Sequence, residues 1–115
     1  MKNIESQIQQ QCVTWFKYQY PKLLLCSFPM GGFRSKITGA ILKAEGAVAG
    51  SPDLFLFYPT KEFHGLAIEM KTQKGVQSQS QKLWQKIAEY YGYKYVICRS
   101  LDEFRLQIDY YIRLT

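Results

Sequence analysis

Pro52-Asp53-Leu54-Phe55-Leu56-Phe57-Tyr58 and, after a six-residue gap, Gly65-Leu66-Ala67-Ile68-Glu69-Met70-Lys71 are two apolar runs with charge at one end of each. Their length and β-branched or aromatic content read as strands over 53–58 and 65–71. If they pair antiparallel across the 59–64 loop, the start of the first lies beside the end of the second, and Asp53 meets Glu69 and Lys71. Side chains alternate along a strand, so Glu69 and Lys71 share one face while Leu66, Ile68 and Met70 take the other. Two carboxylates and an ammonium then converge at one end of an apolar sheet. Such a cluster is costly unless a cation and an anion bind there. A cross-strand ion pair at a frayed sheet end would account for Glu69 and Lys71 alone, so the weight falls on what else accompanies them.

Three features do. Ile4, Ile8, Cys12, Trp15 and Phe16 form one stripe of a helix over 3–20, and at 100° per residue Glu5 falls inside that stripe, between Cys12 and Phe16. The plainer reading of Glu5, two residues after an Asn3 cap, is a carboxylate complementing the helix dipole. Gln81 sits on the rim of a second helix, over 79–91, whose apolar face is Leu83, Trp84, Ile87, Ala88 and Tyr91. Ser78-Gln79-Ser80-Gln81 is also a capping box, in which Gln81 reaches back to the Ser78 backbone; the two roles are expected to be exclusive at any moment. Finally, Gly46-Ala47-Val48-Ala49-Gly50-Ser51-Pro52 leads into Asp53, and its glycines would let a bulky polyanion approach the backbone. A plain loop is the alternative, and the preferred reading for Pro29-Met30-Gly31-Gly32. Neither stretch ends in the Gly-Lys-Ser/Thr of a nucleotide-binding phosphate loop.

Composition narrows the class. A chain of 115 residues with 47% hydrophobic and 16% aromatic content is expected to form one domain, spanning 1–115, with a real core. No apolar run approaches the ~18 residues a membrane span needs, and the N-terminus opens into a helix without a signal-peptide core, so a cytoplasmic protein is expected. Cys12, Cys26 and Cys98 read as small buried hydrophobes in a reducing compartment, and His64 as a solvated turn residue. Fifteen Lys and Arg against nine Asp and Glu leave a net charge of +6. If Glu5, Asp53 and Glu69 are gathered in one site, the remaining surface is more basic still. Arg34, Lys36, Lys43, Lys71, Lys74, Lys82 and Lys86 flank the proposed site in sequence, which suits a polyanion held by its phosphates. Solvated charge on helix faces accounts for some of them.

The order of elements is helix 3–20, strand 23–28, a helix about 35–45 opened by Ser35, strands 53–58 and 65–71, helix 79–91 ended by Gly92, and strand 93–99. A last helix opens at the capping box Ser100-Leu101-Asp102-Glu103. This predicts an α/β fold with a mixed sheet of about four strands flanked by helices.

Gly50-Ser51-Pro52-Asp53, fifteen residues, then Glu69-Met70-Lys71 resembles the PD-(D/E)xK nuclease signature. Gly75, Ser78, Gln81 and Trp84, followed by the tyrosine-rich Tyr93-Lys94-Tyr95-Val96, resemble its virus-type replication-repair nuclease (VRR-Nuc) branch, over nearly the whole chain. The resemblance implies a restriction-endonuclease-like core and a stand-alone enzyme of bacteria or phages: an Mg²⁺- or Mn²⁺-dependent endodeoxyribonuclease on branched DNA, above all a Holliday-junction resolvase. It assigns Asp53, Glu69, Lys71 and Gln81 to catalysis. Its metal ligands are Asp53, Glu69, the Met70 backbone carbonyl and Glu5, the last by helix position alone. Arg34, Lys36, Lys43, Lys74 and Ser78 are the candidates for holding DNA.

The residue types agree with this chemistry independently. Hard carboxylates without His or Cys favour Mg²⁺ or Mn²⁺ over zinc. Flanking carboxylates favour the ammonium form of Lys71, so it is expected to stabilise charge on the phosphate rather than to act as a base. The competing classes are a non-catalytic DNA-binding module that keeps the fold, and a structural protein whose carboxylates only make ion pairs. Two matched cuts in a four-way junction call for a two-fold homodimer, for which Tyr110, Tyr111 and Leu114 on the last helix are the expected apolar surface.

Overall fold

The computed structural model describes residues 4–28 and 36–114. The Asn3 cap, the Pro29–Gly32 loop, Arg34 and the Ser35 helix start lie outside the described residues. The elements are α1 (Ile4–Gln19), β1 (Leu25–Ser27), α2 (Lys36–Ala44), β2 (Leu54–Leu56), β3 (Leu66–Met70), α3 (Gln79–Tyr90), β4 (Lys94–Cys98) and α4 (Leu101–Ile112). They form one four-stranded sheet in the order β1-β2-β3-β4. The first two pairings are antiparallel, and β4 returns parallel to β3 after α3. The fold is therefore mixed α/β, as the strand and helix periodicities predict.

Alternation on β3 decides which layer goes where. Leu66, Ile68 and Met70 point to one face and join Leu54 and Leu56 of β2, Val96 and Cys98 of β4, Cys12 and Phe16 of α1, and Phe104, Ile108 and Tyr111 of α4 in the main core. The opposite face carries Phe55, Ala67 and Tyr95, covered by Trp84 of α3. Cys12 and Cys98 are buried, Cys26 is half-buried, and all three are free thiols. Among the described residues no helix is long and apolar enough to cross a membrane.

Two expectations fail here. Tyr111 is fully buried, its hydroxyl donating to the Tyr58 carbonyl at 2.7 Å, and Leu114 packs against the core; only Tyr110 of that trio is exposed. The last helix therefore offers little apolar surface, because its stripe is spent on α1 and the sheet. Conversely, α3 fully buries none of its side chains: Leu83 and Ile87 are 59% and 52% exposed, its C-cap Tyr91 63%, and of the expected apolar face only Trp84 and Ala88 are half-covered. The small patch beneath α3 offers Ala67 where a larger residue would be needed to reach the outer turns.

Candidate active site

The register of β2 on β3 builds the site. Leu54 pairs with Ile68, so one step outward Asp53 lies opposite Glu69, just beyond the end of the ladder. Asp53 is fastened there by its Oδ2, which accepts the Met70 N–H at 2.7 Å. Glu69 is 2% exposed, the one buried charged residue among those described. It lies on the α3 face of β3, with Lys71 two residues on and the Lys71 N–H donating to the Cys98 carbonyl at 3.0 Å.

Both Glu69 oxygens are occupied. Gln81 Nε2 donates to Oε2 at 2.9 Å, and the Tyr95 hydroxyl donates to Oε1 at 3.3 Å. Burial pushes the Glu69 carboxyl well above the usual carboxylate range, the Asp53 charge and a hydrogen bond with Asp53 push the same way, and Lys71 and Tyr95 oppose them. Glu5 comes from the other layer, at the first turn of α1. Its carboxyl is raised by burial first and by Asp53 second, and lowered by Lys71, so Glu5 and Glu69 both feel Asp53 and Lys71. Among the described residues no three His, Cys, Asp or Glu side chains converge as a metal-holding group, so Glu5 does not complete a set of three with the pair. Two adjacent carboxylates, one of them buried and held high by its neighbour, nevertheless form a hard-oxygen pair short of positive charge, which fits a divalent cation.

Gln81 resolves the supposed conflict between its two roles. Its Oε1 accepts the Ser78 N–H at 2.8 Å, closing the capping box, while the Nε2 of the same amide holds Glu69. An amide has an acceptor end and a donor end, and the fold uses both at once. The cap of α3 is thereby tied to the carboxylate. Gln81→Glu keeps the acceptor for Ser78 but sets a carboxylate against Glu69. Cleavage by Gln81→Glu is expected to fall sharply, with a stability loss that grows as pH rises because two carboxylates then face each other, whereas Gln81→Ala loses activity and about 1 kcal/mol of cap with little pH dependence. Thermal melts alongside cleavage rates read the two effects separately. A Gln81→Glu protein cutting at the natural rate would leave Gln81 with the cap alone.

Several supporting residues escaped the sequence reading. Gln77 hydrogen-bonds the Tyr95 hydroxyl and donates to Gln85 on α3, so Tyr95 is itself held. Arg99 Nη1 donates to the carbonyls of Thr72 and Gly75 at 2.7 Å each, clamping the loop that follows Lys71. A side chain at Gly75 would press within 3.3 Å of Lys71 Cδ. Gly50, with φ +86°, abuts the α3 backbone so closely that a Cβ would collide with the Ser80 carbonyl. The close approach at Gly50 is thus to the α3 N-terminus, where the sequence suggested a polyanion. The signals were weak: an arginine ending a strand and a glycine in a loop have many uses.

Three of the expected DNA-holding residues are exposed. Ser78 is exposed at the α3 cap, Lys74 is exposed in the Arg99-clamped loop, and Lys43 is exposed in the last turn of α2. Lys36 opens α2, and Arg34 lies outside the described residues. His64 is exposed in the loop before β3, edge-on to Tyr93 at 5.5 Å.

Three antiparallel strands with a fourth in parallel, helices on both faces and the carboxylates at one strand end define a nuclease-type α/β domain. The chain belongs to the VRR-NUC domain family, whose model matches residues 3–102. A solved structure described as a VRR_NUC domain protein is similar over 99% of this chain and 93% of its own length, at 25% identity and a TM-score of 0.80. No curated protein matches the chain significantly. A nuclease fold implies a DNA substrate.

Proposed function

We propose that the chain is a metal-dependent, structure-selective DNA endonuclease that hydrolyses phosphodiester bonds, acts on four-way junctions as a homodimer, and works in the cytoplasm of a bacterial or phage-infected cell. The observation that carries the reading is the buried Glu69 carboxylate, locked opposite Asp53 by strand register and presented beside Lys71. Burying one carboxylate against another is costly, and such pairs concentrate at functional sites.

Asp53 and Glu69 would hold Mg²⁺ or Mn²⁺, with the Met70 backbone carbonyl next to Glu69 and Glu5 from α1 as the outer candidate. The cation supplies positive charge that neutralises the phosphate and makes water easier to deprotonate. The chain's own residues do the rest. Gln81 and Tyr95 fix the plane of the Glu69 carboxylate, so its orientation is set before DNA arrives. Lys71, its stem against Gly75, places an ammonium where negative charge grows on the scissile phosphate. Lys74, Ser78, Lys43, Lys36 and Arg34 would grip flanking phosphates.

Purified protein with Mg²⁺ or Mn²⁺ should cut four-way junctions faster than flapped DNA, and flapped DNA faster than linear duplex. Equal rates on all three would remove the structure selectivity. The incomplete three-carboxylate set favours a second reading, a DNA-binding module without catalysis. Junction binding with no cleavage under either cation would establish it.

A further inference from the structure

Behind the Glu69 carboxylate a line of hydrogen bonds leaves the site and ends on the outside of α3. The Tyr95 hydroxyl donates to Glu69 Oε1 at 3.3 Å. Gln77, half-buried one residue before the Ser78 cap, hydrogen-bonds that hydroxyl. Its Nε2 donates to Gln85 Oε1 at 2.8 Å, and Gln85 Nε2 donates to Glu89 Oε2 at 3.1 Å. The inner end of this line, Glu69 and Tyr95, is buried, and its outer end, Glu89, is exposed.

The direction of such a line is set by the member that has no choice. A hydroxyl and an amide can each donate or accept, whereas an ionised carboxylate only accepts. Glu89 therefore holds the Gln85 amino group outward and turns its carbonyl to Gln77, which must answer with its own amino group. Burial raises the Tyr95 phenol first and the Glu69 charge second, and the Gln77 bond works against both, as a donor to the phenol oxygen does. With its oxygen supplied in this way, Tyr95 has its proton left for Glu69.

We propose that Gln77 is a positioning residue for the cation site, acting through Tyr95: its amide directs the phenol proton at Glu69 and so holds the carboxylate in the plane in which it takes Mg²⁺ or Mn²⁺. The inference rests on the reading of Asp53 and Glu69 as cation ligands. Gln81 aims the other Glu69 oxygen and is fixed separately, by the Ser78 N–H. Outer partners of this kind are typically worth ~10–100-fold in metal affinity.

Gln77→Glu separates direction from packing, because it keeps the size of the side chain and makes it an acceptor only. The phenol proton should then turn to the new carboxylate and leave Glu69 Oε1 without its donor. Added negative charge by itself would tighten a nearby cation, so the two effects have opposite signs. Free Mn²⁺, read from its electron paramagnetic resonance signal during titration into the metal-free chain without DNA, measures the affinity directly. Gln77→Glu is expected to weaken Mn²⁺ binding on the order of tenfold or more, and Tyr95→Phe about as much. The double variant should bind no worse than either alone, and Gln77→Ala, which leaves the phenol free to keep Glu69, should lose less than Gln77→Glu. Gln77→Glu binding Mn²⁺ as well as the natural chain, or better, would overturn the proposal. Gln77→Ala costing as much as Gln77→Glu, or losses that add in the double variant, would overturn it too. A natural chain that binds no Mn²⁺ would overturn the cation reading itself, and this inference with it.

Discussion

Asp53→Asn is expected to abolish cleavage while leaving the metal-free protein as stable as the natural chain, or more so. The two halves of that outcome have separate causes. An asparagine oxygen can still accept the Met70 N–H that Asp53 now takes at 2.7 Å, so the strand end keeps its fastening. The substitution also removes a negative charge that raises the neighbouring Glu69. For Glu69 the folded carboxyl binds its proton more tightly than the unfolded one. Its contribution to stability is therefore complete below the ordinary value of 4.5 and is lost as pH rises through the folded value, about 8. In chelator, the natural protein should lose melting temperature across that window, and Asp53→Asn should lose less. A divalent cation should restore more to the natural protein at the alkaline end than at the acidic end. Cleavage, by contrast, should drop by on the order of 10²–10³-fold or more, the scale seen when one preorganised electrostatic group is removed. Melts in chelator and in Mn²⁺, beside cleavage rates, check both halves; an Asp53→Asn protein markedly less stable than the natural chain would make Asp53 chiefly a structural tie.

Lys71→Ala is the second large effect. The residue follows directly on β3, its N–H paired with Cys98 and its stem lying against Gly75, within the loop that Arg99 clamps. Its backbone and the stem of its side chain are thus held at the strand end by the Cys98 pairing and the clamped loop. Loss of cleavage on the order of 10²-fold is expected, with affinity for junction DNA nearly kept and the salt dependence of binding reduced by about one phosphate contact. Binding measured in Ca²⁺ and cleavage measured in Mg²⁺ separate the two. Affinity falling in step with rate would make Lys71 an ordinary phosphate contact.

The strand pair that opens the site was legible because two independent periodicities agreed. Apolar alternation set which side chains faced the core, and the loop length set antiparallel pairing, so Asp53 opposite Glu69 followed without a coordinate. The capping box at Ser78 was equally legible, being local. What sequence could not supply was how far each surface is covered. The stripe on α3 predicts burial, but only contacts across the sheet reveal that Ala67 lies beneath it and that Leu83 and Ile87 stay open. The same gap misplaced the apolar surface on Tyr111, a residue whose hydroxyl finds a backbone carbonyl 53 positions away. Tyr95 over Glu69 and Arg99 over the 72–75 loop are likewise contacts 26 and up to 27 positions apart, with no local signature. Gln81 was legible as a cap, but not as an amide that closes the capping box and holds Glu69 at once, which required the geometry of one side chain between two partners.

We propose that Asp53 and Glu69 form a cation-dependent site for cutting DNA. Cleavage of a labelled four-way junction, followed while Mn²⁺ is titrated into metal-stripped protein, tests it most directly. No cleavage is expected in chelator, and the rate should rise and saturate with Mn²⁺; cleavage at an undiminished rate in chelator would mean that Asp53 and Glu69 are no cation-dependent site.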